Sequence, residues 1–351
     1  MVKSQLKKIC FTVVCTFILG VFGVVILPKQ VVSAATYDIT VAKDGSGNYK
    51  TITEAYNYLA KINDAKRKTI HVKKGVYKEK ITISKPYISI IGENKNNTKL
   101  TYNVANGDPK PGGGKYGSAD CAALTVGEND FIAQNISFEN SHLKDTGKDV
   151  QASCVYTYGD RISFNNCNFY SGQDTLCAYT YGVDKSRVYF KDCFIQGSVD
   201  FIWGGATALF DNCTLNELRD GGMYTAANTP QGQKYGYVFL NCTLTANGDV
   251  NYTSRTNPRW KTPSTVYLGR TYGDYCHVSY INCKLNAPVN PAGWLKMNNN
   301  NNNTALLEEY GCTGIGANRS KRVPWSKALN SSQASRYTKA NVLSGKDGWR
   351  L

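Results

Sequence analysis

"FNNCNF", residues 164–169, recurs down the chain as "FKDCFI" (190–195), "FDNCTL" (210–215), "FLNCTL" (239–244) and "YINCKL" (280–285). Each unit runs aromatic, any residue, Asn or Asp, Cys, any residue, apolar. "AQNISF" (133–138) is a sixth version with Ile136 in the Cys place. The anchor positions are spaced 31, 26, 20, 29 and 41 residues apart. Similar units at irregular intervals of roughly 20–40 residues indicate a solenoid with loops of varying length.

The unit reads as a short strand, with apolar and polar residues alternating and β-branched or aromatic types frequent. No long helical pattern interrupts residues 70–320. A repeat of short strands without helices predicts an all-β parallel β-helix, each coil laying its strands on those of the coil before. Asn side chains at one register can bond along the column, and stacked Cys can serve as small buried hydrophobes. Cys in adjacent coils would lie about 5 Å apart, within disulfide reach. Cys193 with Cys213 is the first pair to test; most others are expected to be free thiols.

The 351 residues can bury a large core in one domain. Lys3, Lys7 and Lys8, the uncharged run Ile9 to Leu27, and Val32-Ser33-Ala34-Ala35 form an export-signal pattern. Residues 1–34 are therefore read as a signal peptide and 35–351 as a single β-helix domain. The apolar run is also long enough for a retained anchor. Cleavage would leave a net charge of about +11, since the segment carries Lys3, Lys7, Lys8 and Lys29 and no acid. A basic secreted protein suits a polyanionic partner, although charge can also serve solubility alone. Ten cysteines follow the segment without a CxxC pair, so zinc-ribbon spacing is absent. His71, His142 and His277 are too few to favour His-based sites and receive no role. "TITEAYNYLAKI" (51–62) combines capping-box spacing at Thr51 and Glu54 with Ile52, Tyr56, Leu59 and Ile62 at helical spacing. It is expected to close one end of the solenoid. The Asn run 298–303 reads as an exposed loop, and the segment after Trp325 as a polar tail along the outside.

Counting from Cys brings two acids together. Asp174 is seven residues after Cys167, and Asp200 is seven after Cys193. Coils in register would stack these carboxylates about 5 Å apart, and one would then hold a proton near neutral pH. Asp220 and Asp249 share the offset from Cys213 and Cys242, so the position can also be a plain coil corner that suits Asp. Context separates them. Asp174 lies in "SGQDTL" (171–176) and Asp200 in "VDFIWG" (199–204), among apolar neighbours; Asp220 and Asp249 lie in polar loops.

"GQDTL" followed by "VDFIWG" resembles the paired signature of pectin methylesterases. The resemblance extends through "DGSGNYKTITEA" (44–55), "GVYKEK" (75–80), "QASCV" (151–155), "LGR" (268–270) and "RVPW" (322–325). It implies a right-handed parallel β-helix, agreeing with the repeats. It implies Asp200 as nucleophile, Arg270 as its counter-charge, and Asp174 as proton donor and then base. Gln151 and Gln173 would supply oxyanion donors. The implied substrate is methylated homogalacturonan in pectin, its methyl esters hydrolysed by a secreted monomer without metal, cofactor, nucleic acid or lasting membrane attachment. Three departures bear on substrate pattern: Thr271-Tyr272 where the family has Pro-Trp, Cys177 where Tyr often follows, and Trp203 where Phe is usual. Trp203, Tyr272 and Trp294 are candidates for stacking on sugar rings; the alternative for each is packing under loops.

Two rival readings stay open. A pectate lyase or polygalacturonase-like enzyme could use the same fold, but a lyase would want an acidic calcium cluster and a cationic base. A non-catalytic wall-binding relative would be expected to lose an Asp or the Arg.

Overall fold

The computed structural model describes residues 38–248, 262–297 and 302–350. The export-signal segment, Asp249 and most of the Asn run lie outside the described residues. In the rest, each repeat unit turns a corner between two strands. Ile162–Asn165 leads into Asn168–Tyr170, and a second corner leads to Leu176–Ala178. The next coil repeats the path in parallel register, pairing Phe164 with Phe190, Phe169 with Ile195 and Leu176 with Ile202. The strands sort into three parallel sheets of 11, 8 and 8, so the coils form a parallel β-helix as the repeats predict.

Each letter of the repeat has its own place in the stack. The aromatic residue points inward, and Phe164, Phe190, Phe210, Phe239 and Tyr280 stack at centroid distances of 5.2, 4.6, 4.5 and 4.6 Å. Such pairs stabilise by about 0.5–1.5 kcal/mol each beyond area burial. The Asx residue makes the corner: Asn135, Asn166, Asp192, Asn212, Asn241 and Asn282 all have φ between 51° and 55°. Asn and Asp tolerate this left-handed region better than other side-chain-bearing residues. Their side chains bond up the column, Asn166 Nδ2 to Asn135 Oδ1 at 2.7 Å and Asn212 Nδ2 to Asp192 Oδ1 at 2.7 Å.

The ten cysteines among the described residues are free, including Cys193 and Cys213, the first pair to test for a disulfide. The coil spacing of about 4.8 Å lies within disulfide reach, yet these residues remain thiols. From Cys193 onward, each thiol of the repeat column faces the carbonyl of the aromatic residue one coil before. Cys193 reaches Phe164 O at 3.4 Å, Cys242 reaches Phe210 O at 3.3 Å, and Cys283 reaches Phe239 O at 3.4 Å.

The helix Ile52–Ala60 forms where the capping pattern predicts it. Thr51 Oγ1 accepts from Glu54 N, and Ile52, Tyr56 and Leu59 are buried against the first coil. The C-terminal segment lies outside the 11-stranded sheet, as expected, but it is not purely polar. Ser326–Ala328 adds the last strand. Tyr337, Val342 and Leu343 then pack on Tyr189, Leu209, Val238 and Ile281.

Candidate active site

Register decides which acids meet. Val155 pairs with Leu176, Leu176 with Ile202, and Ile202 with Thr225. The column two residues earlier therefore reads Ser153, Asp174, Asp200, Met223. Asp174 and Asp200 are stacked as the Cys count predicts. Asp220 is not, because its coil takes three more residues to round the corner. Asp220 accepts from the backbone N–H groups of Ser264 and Thr265 at 2.9 Å each and is a loop cap. Asp174 and Asp200 are also corner residues, with φ of 62° and 51°. Their backbone conformation explains why Asp is tolerated there; burial and neighbours give the carboxylates their chemistry.

The rest of the two motifs fixes these corners. Ser171 Oγ donates to Ala152 O at 2.6 Å, and Thr175 Oγ1 lies 2.9 Å from both Gly172 O and Gln196 O. Asp174 N donates to Val199 O at 3.0 Å, tying one corner to the next. Gly204 has φ +115°, and a Cβ there would sit 2.3 Å from Ala178 O, so only glycine fits.

Asp174 is 4% exposed and Asp200 6%. Arg270 Nε donates to Asp200 Oδ1 at 2.8 Å and Oδ2 at 3.0 Å, and its Nη2 also bonds Oδ2. Arg270 stands one coil beyond Ala226, which in turn pairs with Trp203. The small Ala226 leaves room for the guanidinium to cross its coil. Burial pushes Asp200 above the usual carboxylate range, while the bonds and charge of Arg270 pull it back. Burial, reinforced by the Asp200 charge, pushes Asp174 up to about 8, against the pull of Arg270 and a hydrogen bond from Gln151. The two stacked acids thus meet different surroundings, one beside the Arg270 guanidinium and one beside the Gln151 amide.

Gln151 and Gln173 line the same cleft of about 270 Å³, together with Asp174, Asp200, Arg270, Trp203 and Tyr272. Gln151 Oε1 accepts from Asn106 Nδ2 at 2.6 Å and Ser118 Oγ at 3.0 Å. Its carbonyl is thereby turned away and its amide N–H₂ is aimed at Asp174 and the cleft. The sequence reading missed Asn106 and Ser118; their only signal was a Gly-rich loop preceding the glutamine block. Tyr272 is exposed at the rim, while Trp203 is half-buried beside Tyr156, ring centroids 6.3 Å apart. Cys177 sits between those two in register, and its small side chain lets the rings lean together.

Trp294 does not belong to the cleft, a correction to the expected sugar contact. It is 1% exposed and packs on Tyr280 at 5.9 Å. Its register partner is Gly269, in the inward column that contains Leu176 and Ile202, so its indole faces the core.

The family model for pectinesterases matches residues 38–346. Pectinesterase 31 from Arabidopsis thaliana is 32% identical over 317 residues, covering 87% of this chain and 91% of the relative. The pectin methylesterase from carrot superposes with a TM-score of 0.72 at 27% identity, over 90% of this chain and 95% of that one. A pectin methylesterase solved in complex with a hexasaccharide gives 0.72 at 27% identity, over 91% and 100%. The chain belongs to the pectinesterase family, carboxylic ester hydrolases built on the parallel β-helix.

Proposed function

We propose that this member of the pectinesterase family is secreted and hydrolyses the methyl esters of homogalacturonan, with Asp200 as nucleophile. The observation that carries the reading is the asymmetry of the stacked acids. Arg270 bonds both oxygens of Asp200, and Asp174 above it is held protonated to about pH 8. The hexasaccharide held by a related pectin methylesterase supports an oligosaccharide ligand in this cleft.

In the first half-reaction an Asp200 oxygen attacks the ester carbon. The carbonyl oxygen becomes an oxyanion, met by the amide N–H groups of Gln151 and Gln173. Collapse expels methoxide, which takes the proton of Asp174 and leaves as methanol. An anhydride now joins Asp200 to the sugar carboxyl. In the second half Asp174, ionised, takes a proton from water as the water oxygen attacks the anhydride. Asp200 departs as carboxylate beside Arg270, and Asp174 is protonated again for the next turn.

Methanol release from pectin without shortening of the polymer is the test. Chain cleavage with new unsaturated ends, lost on dialysis against EDTA and restored by calcium, would instead favour the lyase reading. Among the described residues, no three His, Cys, Asp or Glu side chains converge as a metal site.

A further inference from the structure

Asp149 lies behind the cleft, two residues before Gln151. Its Oδ1 accepts from the backbone N–H of Gln173 at 3.0 Å and from Ser198 Oγ at 2.7 Å. Its Oδ2 accepts from Arg219 Nη1 at 2.9 Å. Gln173 immediately precedes Asp174, and Ser198 stands two residues before Asp200. One carboxylate oxygen thus grips two successive coils just before they enter the two left-handed corners. The carboxylate reaches this position because residue 172 is glycine. A Cβ there would sit 2.6 Å from Asp149 Oδ1.

The surroundings favour a geometric role over a stabilising one. Asp149 and Arg219 are mostly buried, with side-chain exposures of 10% and 19%. Buried ion pairs often add little net stability, because desolvation offsets the attraction. Nearby, Glu217 is fully buried, and burial pushes its carboxyl well above the usual range. Glu217 accepts from the backbone N–H groups of Leu218 and Arg219, and the Arg219 guanidinium bonds Asp149. Arg219 belongs to the coil after Asp200, so the grip spans three successive turns of the stack.

We propose that Asp149 is a positioning residue that fixes the separation and orientation of Asp174 and Asp200. It touches no reacting atom and acts through Gln173 and Ser198. The inference rests on the esterase reading of that pair. Misplacement of a catalytic group by about 1 Å can cost on the order of 10²-fold in rate. A looser pair also repels less, so Asp174 would give up its proton at lower pH.

The test uses Ser198→Ala, Asp149→Ala and Asp149→Asn in the full chain, with kcat and KM for methanol release measured across pH. Carbon-13 NMR of labelled aspartates, without substrate, follows the titration of Asp174. Ser198→Ala and Asp149→Ala are expected to lower kcat on the order of 10- to 100-fold, with KM changed less than about twofold. Both should move the Asp174 titration, and the upper pH limb of activity, to lower pH. Asp149→Asn keeps an acceptor oxygen for both bonds and should recover most of kcat. Parental kcat and parental Asp174 titration in folded Ser198→Ala would overturn the proposal. So would a drop in thermal stability with the Asp174 titration unmoved. Should Asp149→Ala fail to fold, Ser198→Ala, which removes only a hydroxyl, decides alone. A parent protein that releases no methanol would sink the esterase reading by itself, while the NMR titration would still test the grip.

Discussion

Asp174 lies next to Asp200 in the coil stack, and only Asp200 is bracketed by Arg270 through Nε and Nη2. The same side-chain type at the same corner therefore meets two electrostatic environments. Its consequences are measurable residue by residue.

Asp174→Asn should cost on the order of 10²–10⁴-fold in kcat, the usual worth of general acid–base catalysis. Asn suits the left-handed corner but cannot give a proton to methoxide. Asp220→Asn is the matched control. Its carboxylate caps an exposed loop, and methanol release should change little. Equal small effects at both positions would reduce Asp174 to a turn residue.

Activity should fall as pH rises through about 8, where Asp174 loses its proton. It should also fall on the acid side, where Asp200 becomes protonated. Stability carries a linked sign. The folded-state pKa of Asp174 lies above its unfolded value, so the native protein binds more protons than the unfolded chain between about pH 4 and 8. That contribution is fully present below the unfolded pKa and is lost as pH rises through about 8. Asp174→Asn should accordingly melt higher than the parent at pH 8, with the difference shrinking towards pH 4. A constant or opposite difference in calorimetry would count against a protonated Asp174.

Asp200→Asn should abolish methanol release while leaving oligogalacturonide binding measurable by calorimetry. The substitution keeps the corner conformation and a hydrogen-bond acceptor for Arg270. Near-parental turnover would remove Asp200 as nucleophile.

Arg270→Lys should lower kcat by about 10- to 100-fold, because a point charge cannot reproduce the planar fork over a carboxylate. The acid limb of the pH profile should shift upward as Asp200 loses its partner. A parental limb would show that Arg270 does not hold Asp200 ionised.

Asn106→Ala should free the Gln151 carboxamide to flip and weaken the oxyanion site. The expected loss is about tenfold in kcat with KM nearly constant, a fraction of the 10²–10³ seen when an oxyanion donor is removed outright. A rise in KM alone would assign Asn106 to substrate binding instead.

The repeats were readable because aromatic, Asx and Cys each do a separate job in every coil: stacking, turning and filling. The same regularity alone does not separate Asp220, which its polar loop context sets apart and where a longer corner breaks the count from Cys213. No sequence signal marks that insertion, since it appears only in the pairing of Ile202 with Thr225. Trp294 was misassigned because an indole near a loop suits either a sugar or a core, and only register with Gly269 turns it inward. Asn106, Ser118 and Asp149 escaped notice because they act across 45, 33 and 49 residues of chain. A polar residue in a loop carries no mark of such distant partners.

The column of thiols doubles as a set of clocks. Cys167, Cys193, Cys213, Cys242 and Cys283 are buried, and Cys312 at the end of the column is the one partly open to solvent. A thiol reagent can reach each buried sulfur only when its own coil opens. In a solenoid, where each coil leans only on its neighbours, opening is expected to spread inward from an end. The labelling rates of the six cysteines would then time the fraying of the stack turn by turn, with no probe added to the chain.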